Sequence, residues 1–304
     1  MSQIVLLGAE GQVGKELQQA LALVGHLTAL SRRDLDLSDQ DQIQNYLAAA
    51  HPTVIVNAAA YTAVDRAEQE PDLADQVNAI APALLAQAAQ SLGAALVHLS
   101  TDYVFDGENS SPYLESDSTR PLSVYGQSKL QGEENIRQLC DRHLIIRTAW
   151  VYGAYGKGNF VKTMLRLGAE RTELRVVADQ VGTPTWARDL AQAIADLIPK
   201  LDAGLLGTYH YTNSGVASWY DLAIAIFTEA KRLGYPLQVE RVVPITTADY
   251  PLPAQRPAYS VLNTHKITAR LGSPPPHWQQ SLNQMLQDLY QLTYAHESPD
   301  SLRR

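Results

Sequence analysis

Disulfide chemistry and membrane insertion are excluded first, because the residues that they need are scarce. The 304-residue sequence has one cysteine, Cys140, which cannot form an internal disulfide and fits a reducing compartment. It has no run of 18 apolar residues, so no membrane-spanning helix is predicted. Its first residues form no basic leader before the short apolar stretch at positions 4–7. We therefore expect a cytoplasmic protein with no membrane partner.

An excess of positive charge is also missing. The chain has 24 Lys and Arg against 32 Asp and Glu, which gives a net charge of −8. Proteins that bind nucleic acid need a basic surface, so nucleic acid is not an expected partner. Histidine and cysteine show no zinc-like spacing, and no metal site is predicted. The 45% of hydrophobic residues suffices for one large domain with an appended lobe, or for two domains.

A glycine-rich turn near the start of the chain indicates a dinucleotide site. The apolar run at 4–7 predicts a buried strand, and glycines at 8, 11 and 14 follow it before an apolar helical pattern. Strand, glycine turn and helix are the context that such a site requires, because backbone amides can then approach a pyrophosphate at a helix N-terminus. The predicted cofactor contacts here are Gly8, Gly11, Gln12, Val13 and Gly14.

The end of the second predicted strand bears on the choice of cofactor. Ser31 and Arg32 stand where the adenosine ribose normally lies, and an arginine there can bind the 2′-phosphate of NADP. A pair of surface arginines is the alternative interpretation. Asp36 and Leu37 follow, and we expect them to supply a polar adenine contact and an apolar wall for the ring.

The third and fourth predicted strands end in residues suited to a ligand. Small residues after the third strand let a ligand lie against backbone, and hydroxyls after the fourth point toward the crevice where open α/β sheets bind ligands. A local turn stabilised by the hydroxyls is the alternative. The further cofactor contacts that we predict are Ala58, Ala59, Ala60, Tyr61, Asn78 and Ser100, while Thr101 is a catalytic candidate.

Tyr125 and Lys129 are four residues apart, so on a helix both side chains project from one face. An ammonium beside a phenol lowers the tyrosine pKa toward working pH, which makes an acid–base catalyst. Taken alone, the pair is better explained as a solvated tyrosine with an exposed lysine. The nucleotide motif and the hydroxyls of the fourth strand favour catalysis instead.

The fold predicted from these patterns is an α/β Rossmann fold. Strands and helices alternate up to about position 147, which is typical of a doubly wound parallel sheet with helices on both faces. We assign residues 1–150 to an NAD(P)-binding domain and 151–304 mainly to a smaller C-terminal α/β substrate lobe, from which some segments can return to the sheet. Residues 295–304 are expected to fray. Three prolines near Arg256 suit a substrate lid or a plain linker.

In their order and spacing, the glycine fingerprint, the hydroxyl-bearing fourth strand and the Tyr125–Lys129 helix resemble the extended short-chain dehydrogenase/reductases. Within that superfamily the chain looks most like the dTDP-4-dehydrorhamnose reductase family, over nearly its whole length. The segments that carry this closer resemblance are 57–65, 100–105, 147–152, 163–167, 179–185 and 256–257.

The resemblance implies an NADPH-dependent oxidoreductase, with NADH as a possible second cofactor. The implied reaction reduces the C4 ketone of dTDP-4-dehydro-6-deoxy-L-mannose to dTDP-L-rhamnose, the last step of dTDP-rhamnose synthesis. Tyr125 is then the proton donor, and Lys129 holds the nicotinamide ribose and lowers the Tyr125 pKa. Thr101 hydrogen-bonds the substrate oxygen. The implied dTDP-sugar contacts are Thr101, Asp102, Tyr103, Trp150 and Arg256, the last of these toward the diphosphate.

The resemblance also bears on metals and assembly. Some members of the family form dimers that magnesium bridges through glutamates, and Glu16 matches one of these glutamates. Arg188 and Asp288 stand at the other two positions, and an arginine does not bind magnesium. We therefore predict no metal bridge and leave a monomer and a homodimer open.

Two other functions fit the same superfamily. One is a sugar-nucleotide epimerase or dehydratase, although a dehydratase usually has an acid pair where this chain has only Asp102. The other is a non-catalytic NADP-binding regulatory subunit, like that of methionine adenosyltransferase. The complete set of Thr101, Tyr125 and Lys129 favours catalysis.

Overall fold

The computed structural model describes residues 2–201 and 204–294, so the predicted frayed tail at 295–304 lies outside the described residues. Within the described ranges, none of the helices combines the length and the apolarity that crossing a bilayer requires.

Twelve strands are described. In chain order they are β1 (Ser2–Leu7), β2 (Gly25–Leu30), β3 (Val54–Asn57), β4 (Ala95–Thr101), β5 (His143–Thr148), β6 (Val151–Tyr152), β7 (Glu173–Val177), β8 (Val181–Gly182), β9 (Thr185–Trp186), β10 (Gly207–His210), β11 (Ala217–Ser218) and β12 (Arg241–Ile245).

Eleven α-helices are described between and after these strands. They are α1 (Gln12–Leu21), α2 (Gln40–Ala50), α3 (Val64–Ala67), α4 (Pro71–Asp75), α5 (Ala81–Leu92), α6 (Val124–Leu139), α7 (Phe160–Glu170), α8 (Ala187–Leu197), α9 (Trp219–Leu233), α10 (His265–Leu271) and α11 (Trp278–Tyr294). A π-helical segment, Gln76–Ile80, joins α4 to α5.

A six-stranded parallel sheet forms the centre of the molecule, with the order β10-β5-β4-β3-β1-β2. The strand order reverses between β1 and β3, since the chain moves outward to β2 and then returns to the other side of β1. Such a reversal opens a crevice at the carboxyl ends of the strands, and open α/β sheets bind ligands there. The predicted doubly wound Rossmann sheet is confirmed.

Alternate residues of each central strand enter separate cores on the two faces of the sheet. Ile4 and Leu6 of β1 pack with α1 and α8, whereas Val5 and Leu7 pack with α2 and α5. Successive side chains of a strand point to opposite faces, so a strand buried on both sides must be apolar throughout. That requirement explains the unbroken apolar runs seen in the sequence.

A third apolar core lies outside the main sheet. It joins α7, α9 and α11 with the parallel β7–β12 pair, and it contains Tyr152, Trp186, Phe227 and Trp278. The chain also returns to the central sheet after this region begins, because β10 pairs with β5. The division at residue 150 into a cofactor domain and a substrate lobe stays a prediction.

Candidate active site

The glycine turn after β1 brings backbone groups together at the reversal of strand order. Gly8 has a φ of +81°, and a Cβ on it would lie 2.7 Å from the backbone nitrogen of Ala59 after β3. A Cβ on Gly14 would overlap the carbonyl oxygen of Gly8. Helix α1 begins after Gly11, which offers no side-chain cap, so the amides of its first turn face the turn. These residues fit a pyrophosphate at the helix N-terminus.

The residues predicted to meet the adenosine have partners of their own. The Ser31 amide and hydroxyl both donate to the Asp34 carboxylate, at 2.8 and 2.7 Å. Arg32 is 76% exposed and its Nε lies 3.5 Å from the Asp36 carboxylate. Leu37 is buried in the core between the sheet, α2 and α5, which differs from the expected apolar wall for an adenine ring. Asp34 is an acid at this position that the patterns did not indicate.

The Asn78 side chain links the loop after β3 to helix α6 by hydrogen bonds. Its side-chain oxygen accepts from the Tyr61 amide at 2.9 Å, and its nitrogen donates to the Tyr61 carbonyl and the Ser128 hydroxyl, each at 3.1 Å. It lies in the π-helical segment and is 1% exposed. We infer that Asn78 shapes the loop that contains Ala58 to Ala60, and its predicted direct contact with a cofactor stays a prediction.

The hydroxyls at the end of β4 point in different directions, which differs from the expectation that both face the crevice. The Ser100 hydroxyl donates to the buried carboxylate of Glu133 on α6. The Thr101 hydroxyl accepts from the Tyr103 amide at 3.2 Å and hydrogen-bonds Asp102. Neighbouring residues of a strand lie on opposite faces, so only one of the two can face the site.

Helix α6 places Tyr125 beside Thr101. The Ser123 hydroxyl accepts from the Gly126 amide and fixes the start of the helix, and Gly126 lets the Tyr103 carbonyl pack against the first turn. The buried Tyr125 phenol lies beside the Thr101 hydroxyl, close enough for that hydroxyl to influence its pKa. Burial raises the pKa of Tyr125 to about 12, although the Thr101 hydroxyl partly offsets that rise.

Lys129 does not lower the Tyr125 pKa in this structure, contrary to the expectation from the sequence. Its amine is turned away, toward the Leu99 carbonyl at 2.7 Å and His98 Nε2 at 3.2 Å. Burial lowers the pKa of Lys129 itself to about 8. The phenol therefore stays protonated at neutral pH, which suits a proton donor rather than a base.

Two further residues flank the Thr101–Tyr125 pair. Burial raises the pKa of Asp102 to about 6, against hydrogen bonds from Ser260 and Thr101 that lower it. The Tyr103 ring packs edge-on against Tyr125, with centroids 5.5 Å apart. Both residues lie where a substrate bound at Tyr125 would meet them, and their predicted sugar contacts stay predictions.

The guanidinium of Arg256 is engaged rather than free. Its Nη1 and Nη2 donate to the two oxygens of Asp65 at 3.0 and 2.8 Å, and this bond lowers the pKa of Asp65. The pair ties the proline-rich segment to helix α3, and the role of that segment as a substrate lid or a linker stays a prediction. Its bidentate geometry is the strong form of an arginine–carboxylate contact.

Trp150 forms an aromatic stack with Trp219, a residue that the sequence patterns did not point to. The rings are nearly parallel, 5° apart in plane, with centroids at 3.5 Å. Trp150 has a φ of +47°, a left-handed backbone that a bulky residue rarely adopts and that is common at functional sites. A Cβ on Gly182 would lie 2.6 Å from its indole and 2.9 Å from Ser260 Oγ, so Trp150 is near Asp102 through Ser260.

The substitution Trp150→Phe tests whether this ring faces the ligand or only packs. Trp150 is half-buried at the edge of the site, so we expect KM for the sugar nucleotide to rise about 2–10-fold, for a loss of ~0.5–1.5 kcal/mol of ring contact. The melting temperature should change little. The matched control is Trp278→Phe, a core tryptophan that should lower the melting temperature and leave KM unchanged. The reverse pattern would make Trp150 a core residue.

Arg188 joins two acids at the position that the resemblance connects with magnesium. Its Nε lies 3.3 Å from Glu16 and its Nη1 lies 2.6 Å from Asp288. Over residues 2–201 and 204–294, no cluster of three or more His, Cys, Asp or Glu has the geometry to hold a metal. The carboxylates therefore have an internal cation as their partner.

Comparison with known proteins gives consistent results over nearly the whole chain. Residues 1–291 match the family model described as RmlD substrate binding domain. The chain is 44% identical over 297 residues to the dTDP-4-dehydrorhamnose reductase of Escherichia coli (strain K12), which covers 95% of this chain and 99% of the relative.

Solved structures agree with this comparison. A dTDP-4-dehydrorhamnose reductase from Bacillus anthracis in complex with NADP superimposes with a TM-score of 0.88 and 39% identity, covering 95% of this chain and 100% of that one. The dTDP-4-dehydrorhamnose reductase structure from Clostridium acetobutylicum has a TM-score of 0.87 and 41% identity, covering 94% and 99%.

Proposed function

Because the chain belongs to the RmlD substrate-binding-domain family of dTDP-4-dehydrorhamnose reductases, we propose that it reduces the C4 ketone of dTDP-4-dehydro-6-deoxy-L-mannose to dTDP-L-rhamnose with NADPH. The observation that carries this proposal is the position of the buried Tyr125 phenol beside the Thr101 hydroxyl. This pair lies at the carboxyl end of β4, on the same edge of the sheet as the glycine turn.

NADPH, when bound, supplies the hydride that the ketone carbon accepts. The turn from Gly8 to Gly14 and the first amides of α1 would hold its pyrophosphate. Lys129 would leave its present partners to hold the nicotinamide ribose. NADH is a possible second cofactor, because only the 2′-phosphate distinguishes the two.

Side chains of the protein itself hold the proton and donate it to the substrate. The phenol of Tyr125, with its pKa raised to about 12, carries its proton at neutral pH and donates it to the substrate oxygen as negative charge develops there. The Thr101 hydroxyl, which lies beside that phenol, orients the same oxygen. Burial keeps water away, so these hydrogen bonds act in a medium of low dielectric constant.

The dTDP-sugar would lie between this pair and the Trp150–Trp219 stack. Asp102 and Tyr103 flank the reacting end, which supports their assignment to the substrate. A diphosphate would reach Arg256 through donors that Asp65 leaves unused, or by displacing Asp65. We propose no nucleic acid and no membrane partner, a cytoplasmic location, and either a monomer or a homodimer.

Cofactor consumption separates this function from the related ones. With the 4-keto sugar as substrate, the enzyme should oxidise one NADPH for each sugar converted, read as the loss of NADPH absorbance. An epimerase or dehydratase would regenerate its cofactor, and a regulatory subunit would show no turnover. Conversion of the sugar without net NADPH oxidation would contradict a reductase.

Arg32 tests the preference for NADPH. The variant Arg32→Ala should lose about 1–3 kcal/mol of NADPH affinity, the scale of a charge-assisted hydrogen bond to phosphate, and little NADH affinity. Titration calorimetry with both cofactors measures this difference. Arg33→Ala is the neighbouring control and should leave both affinities near wild type. Equal losses of NADPH and NADH affinity in Arg32→Ala would show that Arg32 supports the fold and does not contact the 2′-phosphate.

A further inference from the structure

Behind Lys129 a chain of buried hydrogen bonds runs to the loop after β3. His98 Nε2 lies 3.2 Å from the Lys129 amine, and His98 Nδ1 lies 3.1 Å from the side-chain nitrogen of Asn57. The side-chain oxygen of Asn57 accepts a hydrogen bond from the Ala59 backbone amide at 3.1 Å. His98 and Asn57 are fully buried and Lys129 is 1% exposed. The proposed catalytic lysine is thus connected to the predicted cofactor loop.

The directions of these hydrogen bonds follow from the fixed backbone donor. Since the Ala59 amide can only donate, the Asn57 oxygen faces it and the Asn57 nitrogen faces His98. An amide nitrogen donates, so His98 Nδ1 must be the unprotonated acceptor. A neutral imidazole then has its hydrogen on Nε2, and that hydrogen points at the Lys129 amine.

This arrangement requires a lone pair on Lys129. An ammonium has three donors and no acceptor, so it would oppose the Nε2 hydrogen. A neutral amine accepts from His98 and still donates to the Leu99 carbonyl at 2.7 Å. His98 cannot relieve the conflict by becoming charged, because burial lowers its pKa well below the ordinary value.

The charges around Lys129 are compatible with a neutral amine. Burial lowers the pKa of Lys129 to about 8, while Glu133, one turn along α6, opposes that shift. The Glu133 charge is itself shared with Arg147 and Arg137. Tyr125 and Asp102, the other titratable groups of the site, have pKa values of about 12 and about 6 and do not titrate near pH 8.5.

We propose that His98 is a positioning residue that holds Lys129 as a neutral amine in the cofactor-free enzyme, so that cofactor binding is accompanied by uptake of one proton from solvent. The proposal rests on the proposed function, because the nicotinamide ribose is what draws the lysine away. Ribose hydroxyl oxygens are acceptors, and an ammonium with three donors satisfies them better than an amine. Binding then moves Lys129 off His98 and protonates it.

Titration calorimetry of the wild-type enzyme with NADPH at about pH 8.5, in buffers of different ionisation enthalpy, counts the protons. A group with a pKa of about 8 should take up roughly 0.8 proton per site at that pH. The dissociation constant should rise about eightfold between about pH 8.5 and 9.5. Tight binding with no proton uptake would overturn this proposal alone. Failure to bind NADPH and NADH would overturn it together with the proposed function.

Two variants separate positioning from packing. In His98→Gln the side-chain oxygen can accept from Lys129, which favours the ammonium in the free enzyme, so proton uptake should fall below the wild-type value. In Asn57→Asp the carboxylate accepts from His98 Nδ1, which moves the imidazole hydrogen from Nε2 and should also reduce the uptake. Folding of each variant is checked by its melting transition. Wild-type proton uptake in either folded variant would contradict the role of His98.

Discussion

The variant Tyr125→Phe is expected to lose about 10²–10⁴-fold in kcat, the usual contribution of a positioned general acid. The phenyl ring keeps the packing of a residue that is 9% exposed, but the proton for the developing alkoxide is gone. The affinity for NADPH and the melting temperature should stay near wild type, because the hydroxyl's partner is Thr101 and not the cofactor turn. Steady-state kinetics with the 4-keto sugar, together with cofactor titration, measure both.

Tyr46→Phe is the matched control for that variant. Tyr46 lies on α2 and packs against the core between the sheet, α2 and α5. Loss of its hydroxyl should leave kcat unchanged. A Tyr125→Phe enzyme with near wild-type kcat would remove Tyr125 from the mechanism. Another proton donor, such as Asp102 with its pKa near 6, would then have to be found.

The largest expected change in stability comes from Arg147→Met. Arg147 donates to the Glu133 carboxylate at 2.9 and 2.7 Å, and the two side chains are 3% and 0% exposed. Burial alone would raise the pKa of Glu133, but Arg147, with Ser100 and Arg137, lowers it. Removing the arginine leaves a buried carboxylate short of its main partner, which typically costs ~3–5 kcal/mol.

Denaturant unfolding measures that cost, and the melting temperature should fall on the order of 6–10 °C. Arg137→Met removes the other arginine from the same carboxylate. Because Arg137 is 35% exposed, its loss should cost roughly 1 kcal/mol or less. Equal effects of the two variants would show that the buried pair is not the dominant support of Glu133.

Local sequence predicts those parts of the site that depend on neighbours in the chain. The glycine spacing needs only the strand before it and the helix after it, so Gly8 and Gly14 are found directly. The four-residue spacing of Tyr125 and Lys129 likewise places both on one helix face. The doubly wound parallel sheet follows because alternating strands and helices have few right-handed solutions.

Contacts between distant segments could not be predicted in this way. The side chain of Ser100 hydrogen-bonds Glu133, that of Arg256 hydrogen-bonds Asp65, and that of Asn78 hydrogen-bonds Ser128. Each partner is at least 33 positions away in the sequence. The pKa of Tyr125 depends on how deeply it is buried, and spacing along a helix does not report burial. The sequence therefore predicts the candidate catalytic groups but not their electrostatic environment.

The sequence patterns did not indicate His98 or Trp219, and only His98 carries a signal that the sequence alone could have shown. His98 is the only polar residue in the apolar run 94–99 that precedes the catalytic hydroxyl, and a polar side chain in a buried strand needs a partner. Trp219 begins α9 far from any motif, and only the approach of α9 to the end of β5 joins it to Trp150. The first is detectable from sequence, whereas the second requires the fold.

The most direct test of the central claim is the product formed with NADPH deuterated at the transferable position of the nicotinamide. Proton NMR of the purified sugar nucleotide should show loss of the C4 proton signal of the sugar, and the product made with ordinary NADPH should show the L-rhamnose configuration at C4. One NADPH should be consumed for each product molecule. Deuterium at another carbon, the opposite configuration at C4, or product formed without net NADPH consumption would contradict the proposed reduction.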